Sequence, residues 1–387
     1  MLATAIAEQC SRVPDIRSES MGQSSKISAR QATALLTTFI LSTAVLVVPA
    51  ITISRANRGA WLSMLIATLA VIPLIITFSA LSTFAPKLRL TDRLTLLVGS
   101  LPGRILSLGF SLFLLYTIFS VIRQGSLLVR VIFLPETPLE VVIAGLSLLS
   151  LYGAWLGPQT LARMNTLYLP LLFLTFLVLS IGAFSKPHWY FLWPPWEKGL
   201  PGLAVAAVIP LAWLAETSLL LFMSHDISDL SAHRWKIPLY ACLFAGGFFV
   251  LNVVIIQNTF GSTLGSLYSF PLLQIGRTFG QNIRGIDALI MSIWVVGVFQ
   301  KLALWLHYSV QEIGYIFKLR NPKALLPPMM ILQSYLGLGT LYSVEDVHIY
   351  LERYWSYLAL GTFEGIIPAG LFFIWLRYNK RTKKKNR

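Results

Sequence analysis

Charge is what this sequence has least of. Only 12% of its 387 residues are Asp, Glu, Lys or Arg, about half the roughly 25% of a soluble domain. So few charges cannot cover a water-facing globular surface, which excludes most soluble enzymes. Cysteine is scarcer still. Cys10 and Cys242 are the two present, too few for a disulfide framework or a thiolate metal set. There is no Walker loop, no HExxH or CxxC spacing and no Gly-x-Ser-x-Gly elbow. Catalytic residues, a metal and a cofactor are therefore not expected.

The net charge of +15 could point to nucleic acid. A nucleic-acid surface, however, gathers Lys and Arg on one face with aromatics interleaved. Here they fall in short connections and in the tail Arg377–Arg387. That is how topology signals face the anionic lipid of a cytoplasmic leaflet. No nucleic-acid partner is expected.

Apolar sequence is what the chain has in abundance, at 56% of residues. Its runs are near the roughly 20 residues that carry a helix across a ~30 Å hydrocarbon core. They are too long and continuous for the alternating strands of a barrel. The pattern predicts an all-α integral membrane protein of about ten transmembrane helices. These are segments 32–54, 60–84, 101–128, 139–157, 165–184, 201–224, 237–258, 286–317, 324–342 and 355–377, the ninth short or broken at Pro327 and Pro328. Residues 1–30 read as a polar cytoplasmic tail, 31–377 as the membrane domain and 378–387 as a basic cytoplasmic tail. Met21 is an alternative start. An even number of crossings keeps both tails and most Lys and Arg inside. The aromatic stretch SKPHWYFLWPPWEKG (185–199) reads first as an interfacial belt and second as a ligand gate.

Charges inside apolar segments carry the functional information, because each costs about 2.5–3.5 kcal/mol at mid-bilayer on insertion scales. Glu216 lies within the sixth segment and Lys301 within the eighth. They are a structural ion pair, a polar centre for ligand or coupling ion, or both. In the first segment Ser42 and Thr43 precede Pro49, whose ring displaces the carbonyl four residues back, Val45. Pro210 precedes Glu216 in the same way, five helices on, as in transporters whose interrupted helices build a midplane site. Tyr116 and Ser120 share a face of the third segment. Thr217 adjoins Glu216. Asn252, Gln257 and His307 read as packing partners.

Several stretches resemble one family, the endospore germination permeases, the B-subunits of GerA-type germinant receptors. They are KISARQ (26–31), LSTAVLVVP (41–49), ANRGAWLS (56–63), FLPETP (133–138), GPQTLARMN (157–165), the WPPWEKG loop, AETSLLLFM (215–223) and IDALIMSIWVVGVFQK (286–301). Ser42 stands where the family tends to have Gly, and Gly59 where it tends to have Asp. The resemblance implies a leucine-transporter-like 5+5 inverted repeat within the amino acid–polyamine–organocation superfamily, its first and sixth helices unwound at their centres. It places a ligand among Ser42, Thr43 and Ala44, Tyr116 and Ser120, Ala215, Glu216 and Thr217, and Trp305, with Lys301 standing in for a coupling ion. It further implies an amino acid or similar small-molecule nutrient, an A-subunit and a C-subunit lipoprotein as partners, and the inner membrane of the spore. The rival expectation is a proton- or ion-coupled secondary amino acid transporter.

Overall fold

The computed structural model describes residues 26–184, 187–279 and 286–385. Most of the expected N-terminal tail, with Cys10 and Met21, lies outside the described residues. So do the last two residues of the basic tail.

Ser28 opens the first helix, α1 (Ala29–Ala56), through a capping box with Gln31. This satisfies two of the backbone donors that a helix start leaves free. A single 3₁₀ turn, Asn57–Gly59, reverses the chain into α2 (Ala60–Ala70) and α3 (Ile72–Thr83). Then follow α4 (Leu90–Val98), α5 (Ser100–Ile132), α6 (Leu139–Leu156) and α7 (Pro158–Ala183). The second half runs through α8 (Gly199–Ala215), α9 (Leu220–Met223), α10 (Leu230–His233), α11 (Lys236–Leu267), α12 (Pro271–Phe279) and α13 (Ile286–Ile316). It ends with α14 (Leu326–Leu338), α15 (Val344–Tyr350), α16 (Ser356–Gly361) and α17 (Ile366–Lys385).

Eight stretches of the described residues are long and apolar enough to cross a membrane. The first, 55 residues from Ala29 to Thr83, makes two crossings folded at Asn57–Gly59. The ninth expected segment is α14, whose 13 residues span about 20 Å at 1.5 Å per residue. That is short of the hydrocarbon core, as its paired prolines predict. The tenth, expected at 355–377, is divided between α16 and α17, and the apolar stretch there begins earlier, with α15 at Val344. The helices thus fall on the ten expected segments, and the basic end continues as the last turns of α17.

α1 is the axis of the fold. It packs on α11, α8, α7 and α13, and all its residues from Leu35 to Ile53 are buried. The expectation of an unwound first helix is not met: α1 is helical throughout, Pro49 included. The carbonyl that Pro49 displaces, Val45 O, accepts a 2.8 Å hydrogen bond from the Asn252 amide of α11. A backbone acceptor freed at membrane depth needs a protein partner. Here a neighbouring side chain supplies it, and the helix does not have to open. The sixth segment does change character. α8 stops at Ala215, a 3₁₀ turn spans Glu216–Leu219, and α9 resumes.

Candidate functional site

Lys301 sits midway along α13 and is fully buried. Its Nζ donates to Glu216 Oε1 and Oε2 at 2.7 and 2.6 Å and to Thr43 Oγ1 at 2.7 Å. An ammonium has three N–H groups, and all three are spent. Trp305, one turn further along α13, and Phe39, one turn before Thr43 on α1, lay their rings against the ammonium. Their centroids are 4.7 and 4.9 Å away, where ring faces attract a cation. Thr43 also accepts from the Trp213 indole at 3.2 Å. The first, sixth and eighth segments are therefore joined at one charged node. Without its partner, either charge would be costly at this depth.

Four residues expected from the sequence meet here: Thr43, Glu216, Lys301 and Trp305. Ala44 and Ala215 are buried with no exposed surface, on two helices, α1 and α8, that pack on each other. The other candidates point elsewhere. Thr217 donates to Leu214 O and touches Cys242 of α11 at 3.1 Å. Ser120 donates to Thr117 O within its own helix. Tyr116 is 38% exposed, with its ring against Phe119. His307 is packed, its Nδ1 2.8 Å from Ala154 O.

Ser42 faces a different space, a cavity of about 40 Å³ between α1, α7, α11, α12 and α13. Tyr168 and Trp294 also line it. The Tyr168 hydroxyl and Trp294 indole N–H have no partner among the described residues. Gly297 makes this approach possible, since an added Cβ would lie 2.4 Å from the Tyr168 hydroxyl and 3.1 Å from Ser42.

Both ends of the core are shut. At one end Arg55 pairs with Glu352, and Gln257 donates to Asn57 O at 2.8 Å. The WPPWEKG loop is seated here. Arg58 donates to Trp193 O at 2.6 Å, and a Cβ at Gly59 would lie 2.1 Å from Pro195 O. An aspartate at that position would displace the loop. Trp189, Tyr190, Trp193 and Trp196 of the loop are all more than half exposed.

At the other end Ile27 bridges to Ile227, Ala29 N–H donates to Asp229 at 2.8 Å, and Tyr308 donates to Asp226 at 3.0 Å. α4 closes the same end. Leu90 N–H and the Thr91 hydroxyl donate to Glu312. Arg93 donates to Leu81 O, Ser82 O and Leu221 O. Burial draws the Arg93 guanidinium down to about 10, opposed by Glu312 and Asp92, so it stays charged at neutral pH and caps two helix ends.

Three contributors were not anticipated from the sequence. Phe39 and Trp213 are aromatic residues in apolar segments, indistinguishable there from packing. Glu364 is different. It is a carboxylate within the last apolar segment, and the criterion that selected Glu216 applies equally to it. It is 2% exposed.

The family described as Spore germination protein matches residues 26–337. Spore germination protein XB of Bacillus anthracis is 22% identical over 359 residues, covering 87% of this chain and 94% of that protein. Spore germination protein KB of Bacillus subtilis (strain 168) is 23% identical over 372 residues, covering 94% and 98%. Among solved structures, MhsT in complex with L-phenylalanine superposes with a TM-score of 0.60 at 13% identity, covering 90% of this chain and 95% of that one. A Na⁺-coupled sialic acid symporter in a substrate-bound outward-open state gives 0.62 at 14%, covering 91% and 79%. At such identities the likeness concerns the fold, which is leucine-transporter-like with two five-helix halves. With the family match spanning most of the chain, this integral membrane protein belongs to the spore germination permease family.

Proposed function

We propose that this chain is the nutrient-sensing subunit of a spore germinant receptor. In this reading it works in the spore inner membrane with an A-subunit and a C-subunit lipoprotein, and its ligand is an amino acid or similar small molecule. The observation that carries the reading is the Lys301–Glu216–Thr43 node. It joins the two halves of a transporter fold at mid-depth and is closed off at both ends by contacts that can be released. A sensor needs a ligand that binds one arrangement of the halves better than another. A charged node shared between halves is suited to that, because a polar ligand changes its partners. Lys301 supplies a fixed cation where an ion-coupled relative would bind one.

The test is a germination assay over a nutrient panel in a host deleted for this chain. It is set beside uptake of the active nutrient by proteoliposomes containing the purified protein. Loss of one nutrient response without uptake supports the sensor. Uptake against a gradient supports the second reading, a proton- or ion-coupled amino acid transporter, which the twofold closure also fits. A normal response to every nutrient defeats both. Ala44→Leu intrudes where α1 and α8 meet and should abolish the response while the protein remains in the membrane.

A further inference from the structure

The tenth segment breaks just ahead of Pro368, whose ring displaces the carbonyl four residues back, Glu364. α16 ends at Gly361, Thr362 takes φ −127°, ψ −107°, and α17 begins at Ile366. Just upstream, Leu351–Trp355 forms a π-turn, a departure that recurs at functional sites. Within the break, Ala359 O accepts from both Thr362 N–H and Glu364 N–H, at 3.3 and 2.9 Å. Phe363 is clamped against Phe110 and Phe113 of α5, with centroids 4.9 and 5.4 Å away. The turn is thus held firmly, and it holds Glu364 inside the protein.

Glu364 is 2% exposed, and its Oε2 has no hydrogen-bond partner among the described residues. Its segment packs against the node's surroundings, the Trp355 ring 4.4 Å from Trp213, whose indole donates to Thr43. Lys301 has nothing left to give Glu364, because Glu216 takes two of its donors and Thr43 the third. Glu216 is thus matched by Lys301, while the Glu364 carboxyl keeps one buried oxygen without a partner among the described residues. Irregular backbone at membrane depth is tolerated where it is buried in protein or lines a cavity, and a buried carboxyl with an unmatched oxygen is suited to a cationic partner.

We propose that Glu364 is the carboxylate that receives the ammonium group of the ligand. This rests on the nutrient-sensing reading and deepens it. The ligand class becomes small molecules carrying a primary amine, and Glu216, bound at both oxygens, is not the residue that holds the amine. Binding supplies the counter-charge that Glu364 lacks and links the tenth segment to the node.

The test uses the purified full chain in detergent. Thermal stability is measured with each of the twenty proteinogenic L-amino acids and with the matching 2-hydroxy acids, which lack the amine. Glu364→Gln keeps the shape, and the Glu364 Oε2 has no partner to lose among the described residues, so its abundance in the membrane should match the wild type. The proposal expects at least one amino acid to stabilise the wild type and its hydroxy acid to fail. Glu364→Gln should weaken that amino acid at least tenfold, and Glu364→Asp should restore part of the loss. Equal affinity in wild type and Glu364→Gln, or equal binding of the hydroxy acid, overturns the role of Glu364 and leaves the nutrient reading standing. Unchanged affinity with a pH dependence lost in Glu364→Gln also overturns it, and makes the residue a proton site. Should no amino acid stabilise the wild type, the amine-bearing ligand fails together with the reading beneath it.

Discussion

Pro49 in α1 and Pro210 in α8 occupy the first and sixth segments, corresponding positions in the two halves, yet the helices around them behave differently. α1 continues unbroken because Asn252 takes the displaced Val45 carbonyl. α8 also continues past its proline, for five residues, and turns 3₁₀ only at Glu216. The tenth segment leaves the helix at 362–365, where Pro368 displaces the carbonyl four residues back, Glu364. Proline alone does not open a helix in this core, since Pro49 and Pro210 lie in continuous helix. Nor does a buried charge alone, since α13 runs unbroken through Lys301. A displaced carbonyl needs one donor, which a neighbouring amide can provide.

The sharpest way to break this comparison is to remove the charge that the sixth segment serves. Lys301→Met leaves Glu216 uncompensated, which costs about 3–5 kcal/mol for a buried pair. The amount of protein in the membrane should fall severely. Glu216→Gln combined with it should restore abundance, measured by immunoblot of membranes, but not the nutrient response. Full recovery of the response would make the pair purely structural. Normal abundance in Lys301→Met would mean that the node faces a wet cavity.

Next in size is the place where the two segments meet outside the core. Gly59→Asp puts a side chain within 2.1 Å of Pro195 O, and overpacking of this kind costs about 1–3 kcal/mol. The loop leading into α8 should lift from the end of α1, seen as faster labelling of a cysteine introduced at Trp193. An unchanged labelling rate would mean that the loop is not seated on Gly59. A smaller effect is expected at the first helix. Asn252→Leu strips Val45 O of its donor, worth about 1–2 kcal/mol for an interhelical hydrogen bond in a membrane. The melting temperature should drop, while Asn252→Gln should recover part of the loss. No drop in Asn252→Leu would leave the continuity of α1 unexplained by this bond.

Much of this was legible in the sequence because the bilayer imposes length and polarity so strictly. The ten segments, the shortness of the ninth and the importance of Glu216 and Lys301 follow from apolar runs and the charges inside them. That Pro49 would free Val45 O was also legible. Its partner was not, since Asn252 lies 207 residues away and pairing between distant helices leaves no local pattern. The same limit hid Phe39 and Trp213, which differ from ordinary packing aromatics only by the ammonium and hydroxyl they meet. Tyr116 and Ser120 show the converse. Spacing groups them on one face of α5, but spacing does not say which neighbour each side chain meets. Glu364 is a different case: it lies well inside the tenth apolar segment, and the criterion that selects Glu216 selects it equally.

The smallest expected effect tests whether the ends of the core are latches or supports. Arg55 and Glu352 join the end of α1 to the tenth segment, with side chains 34% and 22% exposed. A pair so open to solvent contributes about 0–1 kcal/mol to stability, so Arg55→Gln should barely move the melting temperature. Its effect on the equilibrium between closed and open arrangements is easier to read, because about 1 kcal/mol changes a population ratio roughly fivefold. Arg55→Gln should therefore raise the labelling rate of a cysteine placed at Ala44 from the outer side without lowering protein abundance. The exchanged pair Arg55→Glu with Glu352→Arg should return that rate towards the wild-type value. A large loss of thermal stability in Arg55→Gln would make the pair a support. An unchanged labelling rate would place the outer closure in the WPPWEKG loop instead.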